Sequence, residues 1–244
     1  AETVLDLEVN VRPLRLQTPR AAFGLYFEER SLPSRGQDYT RDEILAMFRD
    51  IVAHGHNSLY FYPAGSYKEL PPKNSKVFSK LLPLAKQAGL FNDLNIPSII
   101  VGGIGTNDKQ NRAALAWLQA EGRKQGWPEM VQWDADEPKY PWDEVRDRFE
   151  QVRALPARFI AAISMTAAAY GHGAMFDVVQ VMDGGITPEL QAEAGRMGSE
   201  IWTYSFRIRR EGFYPFRSRY FAGLYTWAHQ LGGNYVWAYH HGQH

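Results

Sequence analysis

Residues Glu129–Leu155, EMVQWDADEPKYPWDEVRDRFEQVRAL, contain one complete building unit of the fold. An apolar run leads into three acids, Asp134, Asp136 and Glu137. Pro138 then closes the run, because it has no N–H to give a sheet ladder. "PWDEVRDRFEQVRAL" (Pro141–Leu155) reads as a helix, with Pro141 suited to its first turn. "RFIAAIS" (Arg158–Ser164) follows as the next strand. Strand, helix and strand in this order predict a parallel pair joined by a right-handed crossover.

The same alternation extends in both directions. Upstream, "AAFGLYF" (Ala21–Phe27) is a strand, followed by a helix with Thr40 as N-cap and Glu43 at the capping-box position. "SLYFYP" (Ser58–Pro63) is the next strand, and "SKVFSKLLPLAKQAGL" (Ser75–Leu90) is its helix, with Pro83 as a kink. "IPSIIVGG" (Ile96–Gly103) precedes a helix over Asp108–Gln125, whose apolar side is read as Ala113, Leu115, Ala116, Leu118 and Ala120. Downstream come "DVVQVMDGG" (Asp177–Gly185), a helix capped by Thr187 with Pro188 at its first position, and "EIWTYSF" (Glu200–Phe206). "RSRYFAGLYTWAHQLGG" (Arg217–Gly233) is a helix ending in a Gly pair, and "NYVWAY" (Asn234–Tyr239) is the last strand.

This count predicts an α/β fold: a single-domain (β/α)8 TIM-type barrel over residues 21–244. An open doubly wound sheet is the alternative. "VGGIGTND" has neither the P-loop Lys–Ser/Thr pair nor dinucleotide spacing, so it reads as a turn. Residues 1–20 stand apart as an N-terminal strand-like extension, because "VLDLEVNVRPLRL" (Val4–Leu16) alternates before the first barrel strand. It reads as the trailing edge of another domain or as a strand plugging the barrel bottom.

Composition narrows the partners. The 27 basic and 27 acidic residues balance, and no basic block marks a nucleic-acid or anionic-membrane surface. The absence of Cys excludes disulfides, thiolate nucleophiles and Cys-based zinc sites. No run reaches membrane-span length and no signal-peptide pattern is present, while Ala1 at the start reads as a processed or excised piece. Oligomeric state is left open.

A barrel of this type carries its site at the C-terminal strand ends. Those ends hold Tyr26 and Glu28, Tyr60 and Tyr62, Asp136 and Glu137, Ser164, Asp183, Tyr204, then Trp237, Tyr239 and His240. The set is acidic and aromatic, with little to grip a phosphate. Neighbours on a strand alternate faces, so Asp136 and Glu137 converge only if the strand ends there or a bulge rotates one of them. In a regular strand Asp134 would share the face of Asp136. A solvated turn is the other reading of the three acids.

Three segments in order carry a resemblance. "DADEP" resembles the Asp–Glu pair of family 123 glycoside hydrolases, "SEIWTYSF" (Ser199–Phe206) their E-x-W-x-Y strand, and "RSRYFAGLYTWAHQLGGNYVWAY" (Arg217–Tyr239) their R…W…G…W closing segment. The resemblance covers about residues 21 to 240. It implies a β-N-acetylgalactosaminidase-type barrel using substrate-assisted retaining hydrolysis, in which the sugar's own 2-acetamido oxygen is the nucleophile. Glu137 would be general acid and then base, and Asp136 would orient the acetamido N–H. Tyr204 would donate to the acetamido oxygen and Trp237 would form the apolar floor. Tyr239, Asp134, Tyr62, Asp183 and Arg217 complete the candidate substrate-binding set.

Each of these has a plainer structural reading. A strand aromatic can be core, Arg217 and Arg219 can form ion pairs on their helix, His172 can be a surface histidine, and the terminal "HHGQH" can be a tail. The resemblance implies a glycan partner, no cofactor, no metal and an extracellular or periplasmic setting. The chain departs from the family in its short length and compact loops. A glycosidase for another glycan and a non-catalytic carbohydrate-binding barrel therefore stay as alternatives.

Overall fold

β1 (Ala22–Glu28) pairs in parallel with β2 (Ser58–Tyr62), Tyr26 level with Tyr60. A computed structural model describes residues 20–28, 38–62, 75–100, 108–136, 147, 158–163, 176–182, 184–205 and 220–236. Its other strands are β3 (Ser98–Ile100), β4 (Met130–Asp136), β5 (Phe159–Ile163), β6 (Val178–Met182), β7 (Glu200–Ser205) and β8 (Gly233–Val236). Each pairs in parallel with the next, and β8 pairs back onto β1, so the sheet curls round and closes. The expected parallel α/β architecture is therefore present.

The described helices are α1 (Arg41–Ala53), α2 (Leu82–Ala88), α3 (Asp108–Gln125), α4 (Pro188–Met197) and the short α5 (Thr226–Ala228). α1 begins at a complete capping box: the Thr40 hydroxyl accepts from the Glu43 N–H, and the Thr40 N–H donates to Glu43 Oε2 at 2.7 Å. α4 is capped by Thr187, carries Pro188 in its first turn and ends at Gly198 in the left-handed region, φ 72°. Both starts follow from local sequence. The helix expected over Pro141–Leu155 lies outside the described residues except for Asp147, as do residues 1–19 of the N-terminal extension.

Three local readings need correction. The helix expected over Ser75–Leu90 is a π-helical segment, Val77–Leu81, running into α2. Pro83 has no N–H to bond back along an α-helix, and the turn before it widens instead of kinking. In α3 the buried side is Ala114, Leu115 and Leu118, whereas Ala113, Ala116 and Ala120 are exposed. Alanine favours the helix on either face and so does not mark the core. The expected closing helix is described from Tyr220, as the π-helical segment Tyr220–Tyr225 followed by α5, and it ends before the Gly pair. Gln230, at φ 52°, turns the chain, and Gly233 is already the first residue of β8. The glycines serve close packing: a Cβ on Gly232 would lie 2.5 Å from Trp202 Nε1, and one on Gly233 2.9 Å from Trp202 Cδ2.

Two apolar clusters lie on opposite faces of the wall. Outside, Phe27, Leu59 and Phe61 pack with Ile44, Phe48 and Ile51 of α1 and with Leu82, Leu84 and Ala85 of α2. Inside, Ala22, Tyr26, Tyr60, Ile99, Val131, Val178, Trp202, Tyr204 and Tyr235 fill the lumen. Tyr26 stacks on Tyr60 at 3.9 Å between centroids, and Trp202 stacks on Tyr235 at 5.5 Å.

The registers also fix heights in the lumen. A row of partners runs from Ala22 through Gly233, Trp202, Gln180 and Ala162 to Asp136. Another runs the opposite way, from Tyr26 through Tyr60 and Ile99 to Val131. The rows start four residues apart on β1 and end four apart on β4 once one bulged residue is discounted, a total stagger of eight. With that stagger a row climbs about one residue per strand, and alternate strands fill each level. Tyr60, Gln180 and Tyr235 share one level, and Tyr26 and Tyr204 lie just above. Positions 62, 136 and 182 come next, at the C-terminal mouth.

Candidate active site

β4 contains the feature that decides how its acids are presented. Its pairing with β5 shifts between Trp133 and Ala135, so β4 has one more residue than its partner there, and Asp134 is the inserted one. Beyond the bulge Ala135 is level with Ala161, and Asp136 with Ala162. The regular strand that would have given Asp134 and Asp136 a common face does not exist. Asp136 instead joins the row that continues through Ala162 to Gln180, whose side chain lies in the lumen.

Of the other expected site residues, Tyr204 sits on β7, in register with Met182 on one side and Tyr235 on the other, at 5% exposure. It packs into the lumen cluster, with Met182 half-buried against the same group. Tyr62 ends β2 level with Glu28 of β1. Glu137, Asp183, Arg217, Trp237 and Tyr239 lie outside the described residues, as do His172, Arg219 and the terminal histidines. The structure therefore brings positions 62, 136 and 204 to the mouth end of one lumen.

The floor beneath that end is polar as well as aromatic. The Tyr26 hydroxyl donates to Gln180 Oε1 at 3.0 Å, in a fully buried bond joining β1 to β6. Gln180 has no exposed surface, and its Nε2 has no hydrogen-bond partner among the described residues. Lower down, the Tyr235 and Ser58 hydroxyls are 2.5 Å apart, and the Ser58 hydroxyl lies 2.6 Å from the Pro97 carbonyl it donates to. Burial pushes the Tyr235 phenol well above its ordinary value, with the Ser58 bond opposing, so it stays neutral.

Gln180 and Tyr26 are absent from the sequence-based set. The signal for Gln180 was available: a glutamine within "VVQVM" is a polar residue in a strand otherwise apolar on both faces. Tyr26 was recognisable only as a strand-end aromatic.

The opposite end of the barrel is built differently. A cleft of about 520 Å³ there is lined by Arg20, Asn95, Pro97, Arg158, Glu200 and His229 among others. Arg158 is held by Glu200 at 2.5 Å and by Glu129 at 3.3 Å, and Glu200 also accepts from Trp202 Nε1 at 2.9 Å. These contacts tie the strand starts together, the role expected of that face. Among the described residues no group of three His, Asp or Glu side chains could hold a metal ion, and no helix is long and apolar enough to cross a membrane.

No protein-family model and no curated protein matches the chain. Solved structures do match. A Rhizomucor miehei beta-1,3-glucanosyltransferase is similar at TM-score 0.54 and 9% identity, over 91% of this chain and 88% of that one. A provisionally assigned alpha-L-fucosidase from Bacteroides thetaiotaomicron gives 0.53 and 14%, over 95% and 91%. The active domain 2 of a Pyrococcus furiosus chitinase gives 0.53 and 12%, over 91% and 84%. At these identities the likeness is one of fold alone, a parallel α/β barrel, and such barrels host many chemistries.

Proposed function

We propose that this chain is a glycoside hydrolase cleaving a terminal β-linked 2-acetamido sugar of the N-acetylgalactosamine type by substrate-assisted retention. The observation that carries the reading is the bulge in β4, which sets Asp136, at the strand's end, in the lumen row with Gln180. Fold likeness to carbohydrate-active barrels is consistent with it. On this reading residues 21–244 form the complete (β/α)8 barrel and residues 1–20 an extension. Glu137 protonates the leaving oxygen and later activates water. Asp136 accepts from the acetamido N–H and stabilises the charged oxazolinium. Tyr204, Trp237, Tyr239, Tyr62, Asp134, Asp183 and Arg217 would line the sugar site.

Two carboxylates at adjacent positions suit this division of labour. A neighbouring anion raises the pKa of Glu137, which keeps it protonated near neutral pH. The test is release of 4-nitrophenol from the aryl β-N-acetylgalactosaminide and β-N-acetylglucosaminide, with Glu137→Ala and Asp136→Asn as controls. Release that both substitutions abolish, with folding intact, is the expected outcome. Activity only on sugars without the acetamido group would move the reading to another glycan. Glycan binding with no hydrolysis would make the barrel a binding module.

A further inference from the structure

We propose that one face of the closing helical segment is a homodimer interface: Tyr220, Gly223, Leu224, Trp227 and Ala228 of two copies of this chain pack together about a two-fold axis. All five are exposed, while Tyr225 and Thr226 between them are buried and Phe221 and Ala222 are half-buried. Their spacing, i, i+3, i+4, i+7 and i+8, is that of a single helix face, and here the apolar stripe looks outward. Trp227 is 77% exposed, Leu224 57% and Tyr220 38%. Among the described residues only Leu94 and Met197 are other large hydrophobic side chains left so open.

The area matches what a dimer needs. A tryptophan side chain offers about 250 Å², so Trp227 alone leaves roughly 190 Å² open. Leu224 and Tyr220 bring the stripe to roughly 350–400 Å², the size at which a surface patch is often functional. A stable dimer covers about 800 Å² per partner, about 65% of it apolar in homodimers, or roughly 500 Å². The stripe therefore supplies most of that apolar core. Its shape also fits a copy of itself. An axis passing between positions 223 and 224 sets each Leu224 over the Gly223 of the other copy, and each Trp227 beside the other's Tyr220. Gly223 leaves the hole, since a Cβ built there would meet nothing within 4 Å. Knob and hole on one face, each meeting the other across the axis, make an isologous contact.

Charge favours a second copy over an unlike partner. No residue from Tyr220 to Ala228 is acidic or basic, so the stripe offers no field to select an oppositely charged surface. The whole chain balances at zero formal charge, so two copies meet without net repulsion. A glycan suits the face less well, because hydroxyls taken out of water need hydrogen-bonding groups beside the rings. Thr226 is buried and donates to the Phe221 carbonyl at 2.8 Å, and Leu224 stands between the two aromatics. The stripe is braced from behind as well. Tyr220 packs on Phe221 and Tyr225, with ring centroids 5.1 and 5.8 Å apart, and Tyr225 packs on His229 at 4.3 Å. A braced face loses little freedom on association.

Sedimentation equilibrium of the full 244-residue chain, over a range of concentrations and without substrate, tests the contact. Wild type should move from the mass of one chain toward that of two. Leu224→Glu should raise the dissociation constant by about tenfold or more. Gly223→Leu should do the same although it makes the face more apolar, because it fills the hole. The open space at position 223 lets the monomer accept that side chain, and an unchanged Tm verifies it. Either substitution decides the question if the other fails to fold. A wild-type chain still monomeric at about 100 μM overturns the pairing. So does association that Gly223→Leu leaves unchanged or strengthens, which marks unspecific stickiness. Retention of a monomeric wild type on insoluble chitin, lost in Trp227→Ala, would make the face a glycan platform and overturn it equally.

Discussion

Gly24 is where a single methyl group should do the most damage. It sits on β1 level with Tyr235, and a Cβ built on it would lie 2.2 Å from Tyr235 Cε1 and 2.6 Å from Cδ1. Carbon atoms pack at about 3.5–4.0 Å, so the ring would have to retreat by more than about 1 Å. Its surroundings resist that: Ser58 Oγ is 2.5 Å from the hydroxyl, Trp202 stacks on the ring, and Tyr26 and Tyr60 meet it edge-on at 6.3 Å. Overpacking a close-packed core costs about 1–3 kcal/mol, and losing the Ser58 bond adds about 1 kcal/mol. Gly24→Ala should therefore destabilise the fold by about 2–4 kcal/mol, which at this chain length lowers Tm by roughly 4–16 °C. Urea unfolding followed by tryptophan fluorescence measures it. Tyr235→Leu should restore part of the loss in the double variant, because a smaller side chain makes room for the methyl group, whereas Tyr235→Phe should not. Gly24→Ala within about 0.5 kcal/mol of wild type, the range of an ordinary surface change, would refute the packing account.

Other outcomes can be checked with the same assay. Thr40→Ala removes one side of the α1 capping box and should cost about 1 kcal/mol, while Thr40→Ser should cost much less. Burial lowers the pKa of His56 despite the Phe23 backbone bond, so the folded state binds fewer protons than the unfolded chain. Stability should then be fully present above the unfolded histidine value of about 6.5 and fall as pH drops below it, and His56→Leu should flatten that slope. Deleting Asp134 removes the inserted residue but leaves Trp133 level with Ile160 and Asp136 level with Ala162. The deletion should cost less than about 2 kcal/mol, a typical point-mutation effect. Large-scale unfolding would show that the bulge itself is structural.

What could be read from the sequence was what short-range chemistry dictates. Thr40 with Glu43, and Thr187 with Pro188, each satisfy backbone donors within one turn, so those helix starts needed no tertiary knowledge. Strands were legible because helices on one face and a filled lumen on the other demand apolar residues at nearly every position. The bulge was not. A bulge is one way to turn one acid, but its position depends on the stagger between β4 and β5, and no residue type there announces it. The same holds for Gly232 and Gly233, which look like a helix stop until Trp202 is seen against them. Gln180 stood out within its strand, yet only the Tyr26 bond shows which end of its amide is free.

The crowding of Asp134, Asp136 and Glu137 can now be treated as a question of phase. Along a regular β4, the row through Val131 and Trp133 would continue to Ala135, and Asp136 would fall on the other face. One inserted residue reverses this, so that Trp133 is level with Ile160 and Asp136 with Ala162. An acid is thereby selected at the last position of the strand, above a lumen whose lower levels are closed by Tyr60, Trp202 and Tyr235. Among the described residues, the levels beneath are filled by enclosed aromatic rings, and the Tyr26–Gln180 bond lies among them. Low local dielectric strengthens each hydrogen bond made there and makes each missing one costlier.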